Sequence, residues 1–250
     1  MLILGNNDRA ELLNTDEPFL LLDDGPLCDL FLERFKKIKA FDFETHGLNP
    51  LPASYAMRRR LPGILWDNSG KDTLRVRDGK RALRNKLKAN NAKRFDKLPF
   101  NNGDADREAA DMVDELMDSP VLSKVLTKRP PRFLLSGSSV VVRMGELEDF
   151  DRTVLGSLFA LLYPGNVIIS DFGQYARDLH IPMMRKGRLS IGLNNLEQLD
   201  KRMQQAVLQI PTKIGRGCTY DDAVELAQIG CKFPPGTMDY NAFIAERMRG

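Results

Sequence analysis

The sequence predicts a three-layer α/β protein built on a mostly parallel sheet. Two observations carry that expectation. Short apolar runs closed by Gly, Asn or Asp alternate with stretches of helical periodicity along most of the chain. Strand, helix and strand also follow one another within the first 43 residues, the pattern of a βαβ unit. The chain has 250 residues, 42% of them hydrophobic and 28% charged, so it has globular composition and the length of one large domain, 1–250. Within it, residues 52–118 read as a charged, mainly helical insertion.

Leu2 to Leu4 is a short strand ending at Gly5, and Phe19 to Leu22 is a second, closed by Asp23-Asp24-Gly25. Leu27, Leu30, Phe31 and Phe35 then fall at helical spacing, with Lys36-Lys37 at the end where the helix dipole favours cations. Ile38 to Phe43 resumes as a strand and runs into Thr45-His46-Gly47-Leu48-Asn49-Pro50-Leu51. Between Arg58 and Arg94 stand 13 Lys and Arg against three acids, a local net charge of +10. A helix is expected over Lys80 to Asn90, with Lys80, Arg84 and Lys88 on one face and Leu83 and Leu87 on another. Asp104 to Asp118 reverses the sign with seven acids against Arg107, on a helix turning Met112, Val113 and Leu116 inward. Ser136–Val142, Asn166–Ser170 and Leu189–Leu193 read as further strands. Leu147–Leu162, Tyr175–Leu179, Leu196–Leu208, Ala223–Gly230 and Tyr240–Met248 read as helices.

Composition excludes several classes of function. The 37 Lys and Arg nearly balance 34 Asp and Glu, for a net charge of +3, but that total is the sum of a basic block and an acidic one. Cys28, Cys218 and Cys231 have no Cys-x-x-Cys spacing, which argues against a disulfide framework or a zinc site. His46 and His180 are too few for a histidine-rich metal centre. The first residues lack a signal-peptide pattern, and the longest apolar runs fall short of a membrane span. A soluble protein of the reducing cytoplasm is expected, the host cytoplasm if the chain is viral.

Val167-Ile168-Ile169-Ser170-Asp171 places an acid at the C-terminal end of an apolar strand. That suits a Walker B element, whose carboxylate orients the Mg²⁺ neutralising phosphate charge. The alternative is an acid that opens a turn or caps a helix. Asp171-Phe172-Gly173 also matches the metal-binding tripeptide of protein kinases, but no His-Arg-Asp loop precedes it. The phosphate loop GxxxxGK[ST] is absent. In its place after the first strand stands Gly5-Asn6-Asn7-Asp8-Arg9-Ala10, which has one Gly and no Lys, Ser or Thr. Gly5, Asn6 and Arg9 are its nucleotide-binding candidates, although Asp8 would repel phosphate. Lys80, Arg81, Arg84, Lys88, Lys93 and Arg94 are the candidates for nucleic-acid phosphate contacts, and pairing with the acidic helix is at least as good an account of them. Asp23 and Asp24 resemble a paired-carboxylate site but stand where a turn expects Asp. His46 reads as a turn residue, Lys186-Gly187-Arg188 as a surface turn and Cys28 as packed core.

In order, these elements resemble the FtsK/HerA-type pumping ATPases. Phe19 to Gly25 looks like the strand that follows the Walker A helix in that family, and Phe41 to Leu51 like the next element with its Asn-Pro-Leu turn. Val167 to Asp171 corresponds to the Walker B strand. Arg185, Lys186-Gly187-Arg188 and Ile191 to Asn194 resemble the Arg-rich turn and the sensor strand. The resemblance implies a P-loop-NTPase type of sheet, ATP and Mg²⁺ as cofactors not tightly bound, Asp171 as metal ligand and Asn194 or Asn195 as γ-phosphate sensor. Arg188 becomes the arginine-finger candidate. The departures are a missing Walker A lysine and helix, and Phe172 where the family places a water-activating acid. The expected function is therefore that of a degenerate relative associated with DNA packaging or transfer, of phage or mobile-element type, with weak or no ATP hydrolysis. Its partners would be DNA, a DNA-processing complex or further copies of itself. The alternatives are an active Mg-dependent ATPase with an unusual phosphate loop, and a non-enzymatic assembly protein.

Overall fold

A computed structural model describes residues 1–5, 17–35, 37–52, 58–67, 74–89, 93–175, 188–211 and 213–249. Seven strands form one sheet: β1 (Leu2–Leu4), β2 (Phe19–Asp23), β3 (Lys39–Phe41), β4 (Val140–Arg143), β5 (Asn166–Ile169), β6 (Leu189–Leu193) and β7 (Lys213–Gly215). Their order is β3-β4-β2-β5-β6-β1-β7, and every pairing is parallel. Parallel sheets are covered on both faces, so their strands carry apolar residues on both sides of the pleat. That is the case here. Leu2, Leu4, Leu20, Leu22, Val140, Val142, Val167 and Ile169 belong to one core. Ile3, Phe19, Leu21, Val141 and Ile168, the residues between them, belong to another.

The two cores differ in size because the crossovers run mostly one way along the sheet. Helix α1 (Pro26–Arg34) follows the leftward step from β2 to β3 and packs Cys28 and Phe31 into the smaller core. The rightward steps put the other helices on the opposite face, as right-handed crossovers require. These helices are α2 (Leu61–Asp67), α3 (Leu74–Ala89), α4 (Asp104–Asp118), α5 (Pro120–Thr127), α6 (Arg132–Leu135), α7 (Asp149–Leu162) and α8 (Lys201–Val207). Helices α9 (Tyr220–Gly230) and α10 (Met238–Met248) follow β7 and pack against each other. Helix α7 is the spine of the larger core. From Thr153 to Leu162 every one of its residues is buried, which is what an almost uniformly apolar helix demands.

The three-layer α/β architecture agrees with the periodicity, and several boundaries differ for identifiable reasons. Helix α3 begins at Leu74, before the expected Lys80, and Val76 joins Leu83 and Leu87 in the core. The expected helix 196–208 is two elements, a 3-10 turn at Leu196–Gln198 and then α8. Two caps divide it. Asn195 accepts from the Gln198 N–H, and Asp200 accepts from the Met203 N–H at 2.8 Å. The residues after Tyr175 of the expected helix 175–179 lie outside the described residues, and Phe172–Tyr175 forms a 3-10 turn. Strand β7 has no periodicity to announce it. Its three residues are strand by pairing with β1, Leu2 opposite Lys213 and Leu4 opposite Gly215. No described helix is long and apolar enough to cross a membrane.

Candidate functional site at the sheet edge

Because all seven strands are parallel, their C-terminal ends share one edge of the sheet, where open α/β folds bind ligands. Gly5 follows β1, Asn194 follows β6 and Ser170-Asp171 follow β5, and those three strands are neighbours. Register ties them closely. Leu4 pairs with Leu193, Ile169 pairs with Ile191, and the Gly5 N–H donates to the Leu193 carbonyl at 2.9 Å. Arg188, by contrast, precedes β6 at the opposite edge, where its Nη1 donates to the Pro164 carbonyl at 2.9 Å. Six residue steps, about 20 Å at 3.3 Å per residue, separate Arg188 from Asn194 along β6.

Gly5 is buried and has φ +105°, a conformation that favours glycine. A Cβ there would stand 1.8 Å from the Arg216 carbonyl oxygen. The glycine is thus required by the turn after β7, whose Arg216 N–H donates to the Leu4 carbonyl at 3.1 Å. Asn6 and Arg9 lie outside the described residues.

Asp23, at the end of β2, is 6% exposed and belongs to the scaffold. Its Oδ2 accepts from the N–H groups of Gly25, Leu27 and Cys28 at 2.9, 2.9 and 3.2 Å, which anchors the start of α1. Its Oδ1 accepts from the Ser170 hydroxyl and so links β2 to β5. Asp24 is exposed and accepts from Gln174 Nε2, which also donates to Asp171 Oδ2 at 3.4 Å. One amide therefore bridges two carboxylates, while Gln174 Oε1 is buried with no hydrogen-bond partner among the described residues.

Tyr175 lies beneath this group, buried against Gly156 of α7. Burial and the charge of Asp24 hold its hydroxyl above the ordinary tyrosine range. Asp171 and Asp23 add to the shift, and Arg152 opposes it. Phe172 is 0% exposed and stacks on the Tyr175 ring at 6.4 Å. The residue standing where a water-activating acid is expected is therefore part of the core. Asn194 is exposed, and its N–H donates to Gln198 Oε1 at 3.1 Å within the Asn195 capping box.

Among the described residues the oxygens of this edge are not gathered around a divalent cation: Asp23 is occupied by four hydrogen bonds, and Gln174 Nε2 donates to Asp171 Oδ2. Among the described residues no three His, Cys, Asp or Glu converge as metal ligands.

The nucleic-acid candidates stand on α3 and the segment after it. Arg81, Arg84, Lys88 and Lys93 are exposed, and Lys80 is half-buried. Arg94 binds Asp96 through Nε and Nη2, both at 2.9 Å. The basic and acidic helices meet each other. Arg75 pairs with Glu108, and Lys86 Nζ stands 2.8 Å from Asp106 Oδ2. Lys86, followed by the Asn101 N–H, holds the Asp106 carboxyl below its ordinary range. Between the two helices opens a cleft of about 350 Å³, lined by Asp78, Arg81, Asn85, Lys86 and Asp106 among others.

Two buried polar residues brace turns through contacts that the sequence does not announce. Asn49 is 3% exposed; its Nδ2 donates to the Lys93 carbonyl at 2.7 Å and its Oδ1 accepts from the Leu51 N–H. It braces the Asn-Pro-Leu turn against the segment after α3. Asp222 is 2% exposed and accepts from the Leu196 N–H, which positions the turn beside Asn194. His46 is a turn residue, its Nδ1 accepting from the Asp42 N–H at 3.0 Å. No protein-family model matches the chain, and no curated protein sequence matches it.

Proposed function

We propose that the chain is a non-hydrolysing, ATPase-fold subunit of a DNA-packaging or DNA-transfer apparatus, of the FtsK/HerA-type lineage. The observation that carries this reading is the convergence of Gly5, Asn194 and Asp171 at the ends of three neighbouring parallel strands. These are the positions that the resemblance assigns to the phosphate loop, the sensor and the Walker B acid. The chemistry of the edge argues against turnover. Phosphoryl transfer depends on positioning and charge stabilisation, and it needs a group that orients the attacking water. Here Phe172 is packed into the core, Asp171 is tied to Gln174, and the loop after β1 has no lysine.

The test is phosphate release from ATP with Mg²⁺, with and without duplex DNA. Release at background level in both wild type and Asp171→Ala is expected. Mg-dependent release abolished by Asp171→Ala would establish the active ATPase instead. Duplex DNA titrated at about 0.05 M salt tests the nucleic-acid half, because phosphate contacts are strongest at low salt. Weak binding is expected, since the acids of α4 adjoin the cations of α3. No binding at that ionic strength would remove a direct DNA contact.

A further inference from the structure

The α3–α4 pair turns two charged faces to solvent. On α3, Arg81, Arg84 and Lys88 are exposed at spacing i, i+3, i+7. On α4, Asp111, Asp114 and Asp118 are exposed at the same spacing. Each triad spans about 10 Å at 1.5 Å rise per residue. Among the described residues none of the six makes an ion pair, whereas Arg75 and Lys86 of α3 are engaged by Glu108 and Asp106. Leu74 is 75% exposed and stands seven residues before Arg81, which continues the cationic stripe with an apolar side chain.

From this geometry we infer that the occupant of these faces is a second copy of the chain, with α3 of one copy lying against α4 of the other. Equal pitch lets three cations meet three carboxylates in register, and Leu74 gives a protein surface something to cover. Duplex DNA fits the face less well. The axes of packed helices lie about 8–10 Å apart, close to the Debye length at physiological salt, so a phosphate backbone laid along α3 also approaches the acids of α4. They therefore offset the attraction of α3 for phosphate, and DNA has no use for an exposed leucine. A partner presenting both signs is attracted at both helices. Exposed ion pairs contribute little individually, so the association is weak and salt-dependent. It stands independently of the nucleotide chemistry proposed above.

Sedimentation equilibrium of the full chain tests it. Species above the 28.2 kDa monomer are expected at about 0.05 M salt, and monomer alone at about 1 M, where the Debye length is about 3 Å. The triple variants R81E/R84E/K88E and D111K/D114K/D118K should each be monomeric at low salt, the first having two acidic faces and the second two basic ones. Mixed, they should associate. The milder R81A/R84A/K88A should weaken self-association by about tenfold or more, given three exposed pairs. A wild type that stays monomeric at low salt would overturn the inference, as would charge-reversed variants that each self-associate like the wild type. So would a monomeric wild type whose duplex-DNA binding is lost in R81E/R84E/K88E, because α3 would then face nucleic acid.

Discussion

Asp23 accepts three N–H groups from the start of α1 and the hydroxyl of Ser170, and all of this happens at a position 6% exposed. Replacing it with alanine would leave the first turn of α1 without that acceptor and the buried Ser170 hydroxyl with only the Leu22 carbonyl, at 3.5 Å. The expected loss is about 2–4 kcal/mol, read from urea unfolding, with Asp23→Asn recovering part of it. Asp24, its neighbour, is exposed, so the same substitution there should cost far less. From sequence the two are interchangeable turn acids. The burial that separates them depends on where β5 lies.

The cysteines differ in the same way. Burial, then the charge of Asp23, pushes the Cys28 thiol up to about 12, and burial with Asp222 pushes Cys218 up to about 11. Cys231 is half-buried. Mass spectrometry after brief alkylation of the native protein near pH 8 should find label on Cys231 and protection at the other two. Fast labelling of Cys28 would contradict its place in the smaller core.

Asp151 gives a pH dependence. Burial raises its carboxyl above the ordinary range, while the Ser119 hydroxyl at 2.8 Å opposes the shift. A raised acid binds its proton more tightly in the folded state, so its contribution to stability is full below the unfolded pKa and lost as pH rises through the folded one. Asp151→Asn keeps an acceptor for Ser119 and removes the titration. Its stability relative to wild type should therefore increase from pH 4 to pH 7; a difference independent of pH would refute this account.

At the scale of elements, the turn carrying Asp171 and Gln174 is seated by one glycine. A Cβ on Gly156 of α7 would stand 2.5 Å from Tyr175 Cε1, so this mid-helix glycine is the seat of the Tyr175 ring. Helix propensity alone would make Gly156→Ala stabilising by up to about 1 kcal/mol. Overpacking should win, at a net cost of about 1–3 kcal/mol in chemical denaturation, and the cost should shrink in a Tyr175→Leu background. The helix itself was legible, because its apolar residues announce it. The glycine was not, since its partner lies on a turn some 20 residues further along. Elements with strong periodicity, such as α4 with Met112, Val113 and Leu116 inward, emerged as read. Strand β7 did not, because three residues carry no period and only the free edge of β1 makes them strand.

Across the whole molecule, the net charge of +3 is a balance struck in space as well as in composition. Helix α3 packs chiefly on α4 and α2, and strands β2, β4 and β5 occupy the middle of the sheet. Amides of α3 should therefore exchange with solvent through openings well below the global unfolding free energy, and those of the central strands only near it. Equal protection in native-state exchange would show that the charged helices unfold together with the sheet.

The sequence by itself determined the α/β class, the alternation of side chains across each strand and the sign of each charged block. These are local properties, set by periods of two and 3.6 and by the residues in one segment. Only the tertiary structure decided that Gly5, Asn194 and Asp171 share an edge while Arg188 lies at the other, that Asp23 is scaffold, and that α3 meets α4. Those outcomes depend on strand order and helix packing, which join residues far apart in the chain.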